Sequence, residues 1–219
     1  MATTFLNPFT VEGNKSIAYE IIESLEEKVP DVIVIPLGAG PLLAGIWWGF
    51  KDLYKLGLIK NLPRLIGVQA EACSPIAKAF VESSIVQPWR KEYKTTASGI
   101  ADSMDGYSAE GDLVIDIVKE SRGFITTVTE NEIKESVYAL AQLEGIYAEP
   151  SGAVTVKAIQ KMRAQGWIEP GDCVVSIVTG NGLKDNVSEN KHDQSIPTVE
   201  SYSELVSLIK KKQCISVNR

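Results

Sequence analysis

Hydrophobic positions along the chain fall into two alternating patterns. Val32-Ile33-Val34-Ile35-Pro36-Leu37, Leu65-Ile66-Gly67-Val68-Gln69, Phe124-Ile125-Thr126-Thr127-Val128 and Cys173-Val174-Val175-Ser176-Ile177-Val178 are short, β-branched and nearly continuous in apolar character. Such runs predict buried strands covered by helices on both faces. Between them the apolar period lengthens. Residues 13–28 place Ile17, Ile21, Ile22 and Leu25 on one stripe, residues 130–143 do so with Ile133, Val137, Leu140 and Ala141, and residues 151–164 with Val154, Ala158, Ile159 and Met162. These predict amphipathic helices. Thr129 followed by Glu132 forms a capping box at the start of the second, and Gly166 stops the third. Strand alternating with helix implies an α/β fold: a doubly wound, mostly parallel sheet with helices on both faces.

Residues 186–199 are polar and contain Pro197, which reads as a linker or surface excursion. A helical period returns over 200–213 (Tyr202, Leu205, Val206, Leu208, Ile209), ending in Lys210-Lys211-Lys212. Basic residues in a last turn complement the helix dipole, so the triplet reads as capping rather than as an anion site. The expected division is therefore a compact portion over 1–186, followed by a linker and terminal helix over 187–219.

Charge and cysteine content narrow the classes of function. Twenty-two basic against twenty-eight acidic residues give a net charge of −6. That argues against non-specific binding to nucleic acid or to an anionic membrane. The longest apolar runs fall far short of the ~20 residues that span a bilayer, and the first residues lack the basic and apolar regions of a signal peptide. Cys73, Cys173 and Cys214 lie far apart, and the single histidine, His192, sits in a polar stretch. A structural zinc site, a disulfide framework and a histidine-dependent nucleophile are all poorly supported, and the cysteine usage suits a reducing cytoplasm. With 219 residues, a chain buries roughly 70% of its unfolded surface and needs no metal to fold.

Three stretches could carry chemistry. The first is Ile35-Pro36-Leu37-Gly38-Ala39-Gly40-Pro41-Leu42-Leu43-Ala44-Gly45, a strand passing through small residues into a helix. Glycines there leave amide N–H groups uncovered, and a helix starting near Pro41 adds its positive end, so the turn suits a phosphate or carboxylate. The alternative is a glycine-rich turn used only for close packing. A dinucleotide fingerprint fails because Leu43 stands at the third glycine and Glu71 comes too late, and no Gly-Lys-Ser/Thr follows for a P-loop. A single phosphate fits better. The second stretch, Gly145-Ile146-Tyr147-Ala148-Glu149-Pro150-Ser151-Gly152-Ala153, joins two helical patterns and reads either as a ligand approach or as a packed turn. The third, Ser176-Ile177-Val178-Thr179-Gly180-Asn181-Gly182-Leu183-Lys184-Asp185, ends a strand on a hydroxyl residue. Ligands of open α/β sheets sit at the carboxyl ends of strands, so Thr179 and the Gly38 loop are expected to face one crevice. Thr179 could equally do no more than end its strand.

In this order the three stretches resemble the second half of a fold-type-II pyridoxal-phosphate enzyme of the threonine synthase and serine/threonine dehydratase family. Asn7-Pro8-Phe9-Thr10-Val11-Glu12-Gly13-Asn14-Lys15-Ser16 resembles that family's mid-chain segment, and Thr96-Ala97-Ser98-Gly99-Ile100 more weakly its substrate-side loop. The resemblance covers about residues 5–186 and implies a partial tryptophan synthase β-like fold. It implies that Gly38, Ala39, Gly40, Pro41 and Leu42 cradle the phosphate of pyridoxal 5′-phosphate and that Thr179 bonds the pyridine nitrogen. Pro41 stands where many relatives have glycine, which removes one amide donor. A neutral hydroxyl does not hold that nitrogen protonated, which suits elimination and replacement at the β- or γ-carbon of an amino-acid substrate. Glu149 matches a family acid near the cofactor.

The Schiff-base lysine of this family lies in a Ser-Phe-Lys-Asp-Arg-like segment well upstream, and no such segment occurs here. Lys15 and Lys184 match non-catalytic positions, so no catalytic residue is assigned. The expected activity is conversion of O-phosphohomoserine to threonine, completed by a lysine-bearing N-terminal half polypeptide and absent from this chain alone. A phosphate-binding or regulatory protein that lost catalysis is a second reading, and a Rossmann-like nucleotide binder a third. Trp47, Trp48 and Tyr147 are candidates for apolar surface that another half would cover, and such surface favours a homo-oligomer.

Overall fold

The computed structural model describes residues 7–184, 199 and 201–216, with side-chain surroundings as far as residue 210. The chain divides into two compact units, Met1–Val187 and Ser188–Arg219. The described residues of the second include the helix Tyr202–Ser216, which runs past Lys210-Lys211-Lys212. The triplet therefore lies inside the helix rather than in its last turn. The proposed linker over 186–199 lies almost wholly outside the described residues.

The first unit opens with α1, Pro8–Ser24, five residues before the predicted start. Asn7 is its N-cap, with Oδ1 accepting from Phe9 N–H, and Pro8 occupies the first turn, where no donor is needed. The sheet follows in strands β1 (Val32–Pro36), β2 (Arg64–Ala70), β3 (Phe124–Val128) and β4 (Val174–Ser176). All pairings are parallel, in the order β3-β2-β1-β4. The connections are α2 (Pro41–Lys55) after β1, then α3 (Pro75–Glu82) and α4 (Ala109–Glu120) after β2, then α5 (Glu130–Ala139) and α6 (Pro150–Ala164) after β3. The sheet is wound with helices on both faces, as the alternating pattern predicts.

Strand periodicity builds two cores. Ile33, Ile35 and Leu65 face α1 to α4, packing with Leu43, Ile46, Trp47, Phe50, Ile76 and Val114. Val32, Val34, Ile66 and Val68 face the other way, onto Ile133 of α5 and Val154, Ala158 and Met162 of α6. The capping box of Thr129 and Glu132 starts α5. A π-helical turn, Leu140–Glu144, extends it to Gly145 in the left-handed region. Gly166, at φ +77, ends the α6 segment.

Two expectations need correction. Trp47 is fully buried, with its ring N–H donating to Glu120 of α4; of the three aromatics proposed as uncovered, Trp48 is half-buried and Tyr147 is 40% exposed. The strand read over 173–178 shortens to Val174–Ser176, and all three residues are half-buried. Among the described residues this strand pairs with β1 alone, at the sheet edge; β3, at the opposite edge, keeps three of its five residues buried.

Winding reverses at β1. From β1 the chain moves outward through β2 to β3, then returns to the opposite side of β1 for β4. The carboxyl ends of β1 and β4 thus flank the topological switch point, where open α/β sheets place their ligands. No described helix is long and apolar enough to cross a membrane.

Candidate functional site

A cavity of about 210 Å³ opens at this switch point, lined by Gly38, Ala39, Gly40, Pro41, Leu42, Glu149 and Thr179 among others. Sequence stretches separated by more than a hundred residues meet there. A larger cavity, about 610 Å³, lies against α3 and β3, and none of these seven residues lines it.

One wall is the turn from β1 into α2. Leu37 N–H still bonds Val68 O, and Ala44 N–H bonds Gly40 O as the first turn of the helix closes. Between those two bonds, the N–H groups of Gly38, Ala39, Gly40, Leu42 and Leu43 meet no acceptor among the described residues, and all of these but Leu43 line the cavity. Gly40 sits at φ +104, a conformation costly for any residue with a Cβ, and caps α2 without a side-chain hydrogen bond. Four uncapped donors at cavity-lining residues, beside the positive end of a fifteen-residue helix, are an arrangement that suits an anion. Pro41 contributes no donor.

A second wall is the loop at residues 98–102. The 3₁₀ turn Ser98–Ile100 packs on Gly38, where a Cβ would lie 3.5 Å from Gly99 O and Ile100 Cα. Ser151, buried at the start of α6, accepts a 2.9 Å hydrogen bond from Gly99 N–H and so ties this loop to α6. Asp102 also lines the cavity. Its Oδ1 accepts from Met104 N–H at 2.9 Å and from Tyr107 O–H at 2.6 Å. Burial pushes the Tyr107 hydroxyl well above its ordinary range, and Asp102 adds to the shift. Behind it, burial raises the Cys73 thiol to about 11, reinforced by the negative charge of Asp102.

The third wall joins α6 to the segment after β4. Gly152 lies so close to Thr179 that a Cβ would overlap the Thr179 backbone. Ser176 O–H donates to Thr155 Oγ1 at 2.7 Å. Glu149 N–H bonds Gly180 O, and Gly182 N–H bonds Tyr147 O. Glu149 is nearly buried, packs against Gly180 at φ +64, and pairs with Lys184 Nζ at 2.6 Å. A side chain on Gly180 would displace that carboxylate.

The fit to a phosphate-bearing pyridine can be judged on these features. Unpaired amides are the donor set that a phosphate's oxygens require, and a hydroxyl residue of the kind that can bond a ring nitrogen lines the same cavity. The residues present fit the group. A family described as pyridoxal-phosphate dependent enzyme matches residues 1–180. This chain belongs to that family. Pyridoxal phosphate is accordingly its cofactor class. Among curated members, threonine synthase of Methanocaldococcus jannaschii is 36% identical over 182 residues, covering 82% of this chain and 44% of that protein. Threonine synthase of Mycobacterium tuberculosis H37Rv is 31% identical over 194 residues, covering 89% and 51%. The chain thus spans about half the length of the curated relatives it matches. Among solved structures, the processed form of threonine deaminase isoform 2 from Solanum lycopersicum superposes with a TM-score of 0.62 at 19% identity, covering 93% of this chain and 50% of that one. Maize serine racemase does so at 0.61 and 18%, covering 92% and 53%. These likenesses confirm the fold-type-II expectation for the architecture of this family member.

Every residue singled out in the loop 38–42, together with Thr179 and Glu149, lines the one cavity. Of the weaker match Thr96–Ile100, Gly99 and Ile100 do so, whereas Thr96 instead bonds Glu130 through its N–H and hydroxyl. Asp102 and Ser151 line it as well, although the sequence does not single them out. Ser151 belongs to the second candidate stretch, but Asp102 carries no local signal; only the folding of its loop onto Gly38 brings it in.

Proposed function

We propose that this chain is the cofactor-phosphate half of a pyridoxal-phosphate dependent amino-acid lyase, with Gly38, Ala39, Gly40 and Leu42 holding the phosphate by backbone N–H groups. The observation that carries this reading is the set of uncapped amides beside a helix N-terminus, in a cavity shared with Thr179. Pro41 shapes the first helical turn without donating. Thr179 offers its hydroxyl to the ring nitrogen, bonding it without adding a proton. When bound, the cofactor supplies electron withdrawal from the carbon next to the substrate nitrogen. Glu149, neutralised by Lys184, holds the Gly180 backbone and so the orientation of Thr179.

Relatives named threonine synthase support O-phosphohomoserine as substrate and threonine as product. That reaction needs a lysine to carry the cofactor and move a proton, and both Lys15 and Lys184 are already engaged in ion pairs. Lys15 is bound to Asp52 and Glu12 on α1 and α2, and Lys184 is paired with Glu149. The lysine comes from the half that this chain does not span, and the chain alone does not turn over.

The test is borohydride reduction of the protein mixed with pyridoxal phosphate, followed by peptide mass analysis and assay with O-phosphohomoserine, serine and threonine. Scattered substoichiometric labels without turnover are expected. Activity should appear on adding a polypeptide bearing the lysine half. Stoichiometric labelling of one lysine with turnover would overturn the half-site reading.

A further inference from the structure

Two carboxylates line the cavity, and their surroundings differ. Glu149 is neutralised by the Lys184 ammonium at 2.6 Å. Among the described residues Asp102 meets only neutral donors: Tyr107 O–H and Met104 N–H, both bonded to Oδ1. Among the described residues Oδ2 has no protein donor, and Asp102 has no ion pair. Its Cβ lies 3.9 Å from the place a side chain on Gly38 would occupy, and the residue lines the same cavity, so a carboxylate without a cationic partner among the described residues belongs to the wall next to the anion cradle.

A carboxylate adjacent to a phosphate site repels the phosphate unless the ligand brings a compensating group. The anchoring bonds hold the carboxylate in one place in the cavity wall. Tyr107 and Met104 fix Oδ1, and the loop carrying Asp102 is itself held by the bond from Gly99 N–H to Ser151. The cavity is therefore bipolar, with amide donors at residues 38–42 and a fixed acceptor at Asp102.

We propose that Asp102 is the specificity-determining residue of this crevice, selecting phosphorylated ligands that also carry an ammonium or other cationic N–H donor over neutral ones of the same shape. The proposal rests on the reading of residues 38–42 as the phosphate cradle. It assigns Asp102 a direct contact with the nitrogen-bearing substituent of the ligand, and leaves phosphate affinity to the amides.

The test uses two phosphorylated pyridines that cannot form imines with surface lysines. Pyridoxamine 5′-phosphate carries an aminomethyl group, cationic at neutral pH, where pyridoxine 5′-phosphate carries a neutral hydroxymethyl. Calorimetric titration of the whole chain at low salt should show about tenfold tighter binding of the amine, equivalent to ~1.4 kcal/mol, and salt should reduce the preference. In Asp102→Asn the amide oxygen still accepts from Tyr107 and Met104, so the loop keeps its anchors while the charge is lost. That variant should bind the two ligands within a factor of two of each other. Equal binding of both by the parent protein, or an unchanged preference in the variant, would overturn the assignment while leaving the cradle in place. Binding of neither pyridine, nor of inorganic phosphate, would overturn the cradle reading and this proposal together.

Discussion

Gly38 and Gly40 open α2, whereas Gly45 and Gly49 lie inside it, and the two pairs meet different surroundings. Gly45 and Gly49 are pressed onto α1: a Cβ at 45 would overlap the Asn14 side chain, and one at 49 would stand 2.7 Å from Ala18 Cβ and from Lys15 O. Gly38 has ordinary contact distances around it, and the amides at its end of the helix have no protein partner among the described residues. One pair brings two backbones together, and the other keeps backbone donors free. Glycine content alone does not separate packing from binding; the separation lies in what the missing side chain would have met.

Substitutions test this contrast, beginning with the inner pair. Gly45→Ala should destabilise the fold by about 3 kcal/mol, at the upper end of the cost of overpacking, because its neighbours are backbone and a fixed Cβ. Urea unfolding reads this as a lower midpoint. Loss of less than about 1 kcal/mol would mean that α1 and α2 are not held by close approach.

The outer pair should behave in the opposite way. Gly38→Asp has room for its Cβ but sets a negative charge at the cradle. Pyridoxal phosphate and inorganic phosphate should both bind at least a hundredfold more weakly, with an unfolding midpoint close to the parent's. Calorimetry and urea unfolding on the same sample separate the two effects. A stable variant that binds phosphate normally would erase the contrast between the glycine pairs.

Thr179→Val sharpens it within the cavity. Removing one hydroxyl should weaken pyridoxine 5′-phosphate about tenfold and leave inorganic phosphate unchanged, because only the ring loses a partner. Equal weakening of both would place Thr179 with the phosphate instead.

The smallest effect is expected at the capping box of α5, whose Thr129 and Glu132 do not line the cavity. Burial works to raise the Glu132 carboxyl, but the Thr129 N–H bond and the Lys161 ammonium outweigh it and hold it below the ordinary carboxylate value. A lowered folded value contributes stability that is present above the unfolded value near 4.5 and is lost as pH falls through the folded one. Glu132→Gln should therefore cost about 1 kcal/mol at pH 7. The difference from the parent should vanish below the folded pKa while phosphate binding at pH 7 stays intact.

Legibility in the sequence follows physical context. The central strands are readable because both faces are covered, and β1 is buried at all five positions. Strand β4 looks similar in sequence but is half-buried at all three residues, since an apolar run does not record how well the neighbouring elements cover it; β3, at the other edge, is mostly buried. α3 and α4 do not stand out in the sequence. α3 has only eight residues, and Val114-Ile115-Asp116-Ile117-Val118 in α4 is β-branched enough to fit either period. At the site, the glycine loop and Thr179 announce themselves through local turn chemistry. Asp102 enters through tertiary packing, which spacing along the chain does not encode.

The pairing of β1 with β4 has a consequence for the order of assembly. Val32 aligns with Val174, so the partners are 142 positions apart along the chain. Contacts of that separation are slow to form, because loop-closure entropy is lost before any bond is gained. The β1–β2 pair and the amide cradle can form from neighbouring sequence, but the Thr179 wall arrives only when β4 docks. Phosphate binding should therefore appear earlier in refolding than binding of the pyridine ring, and the interval between them times the closure of the sheet edge.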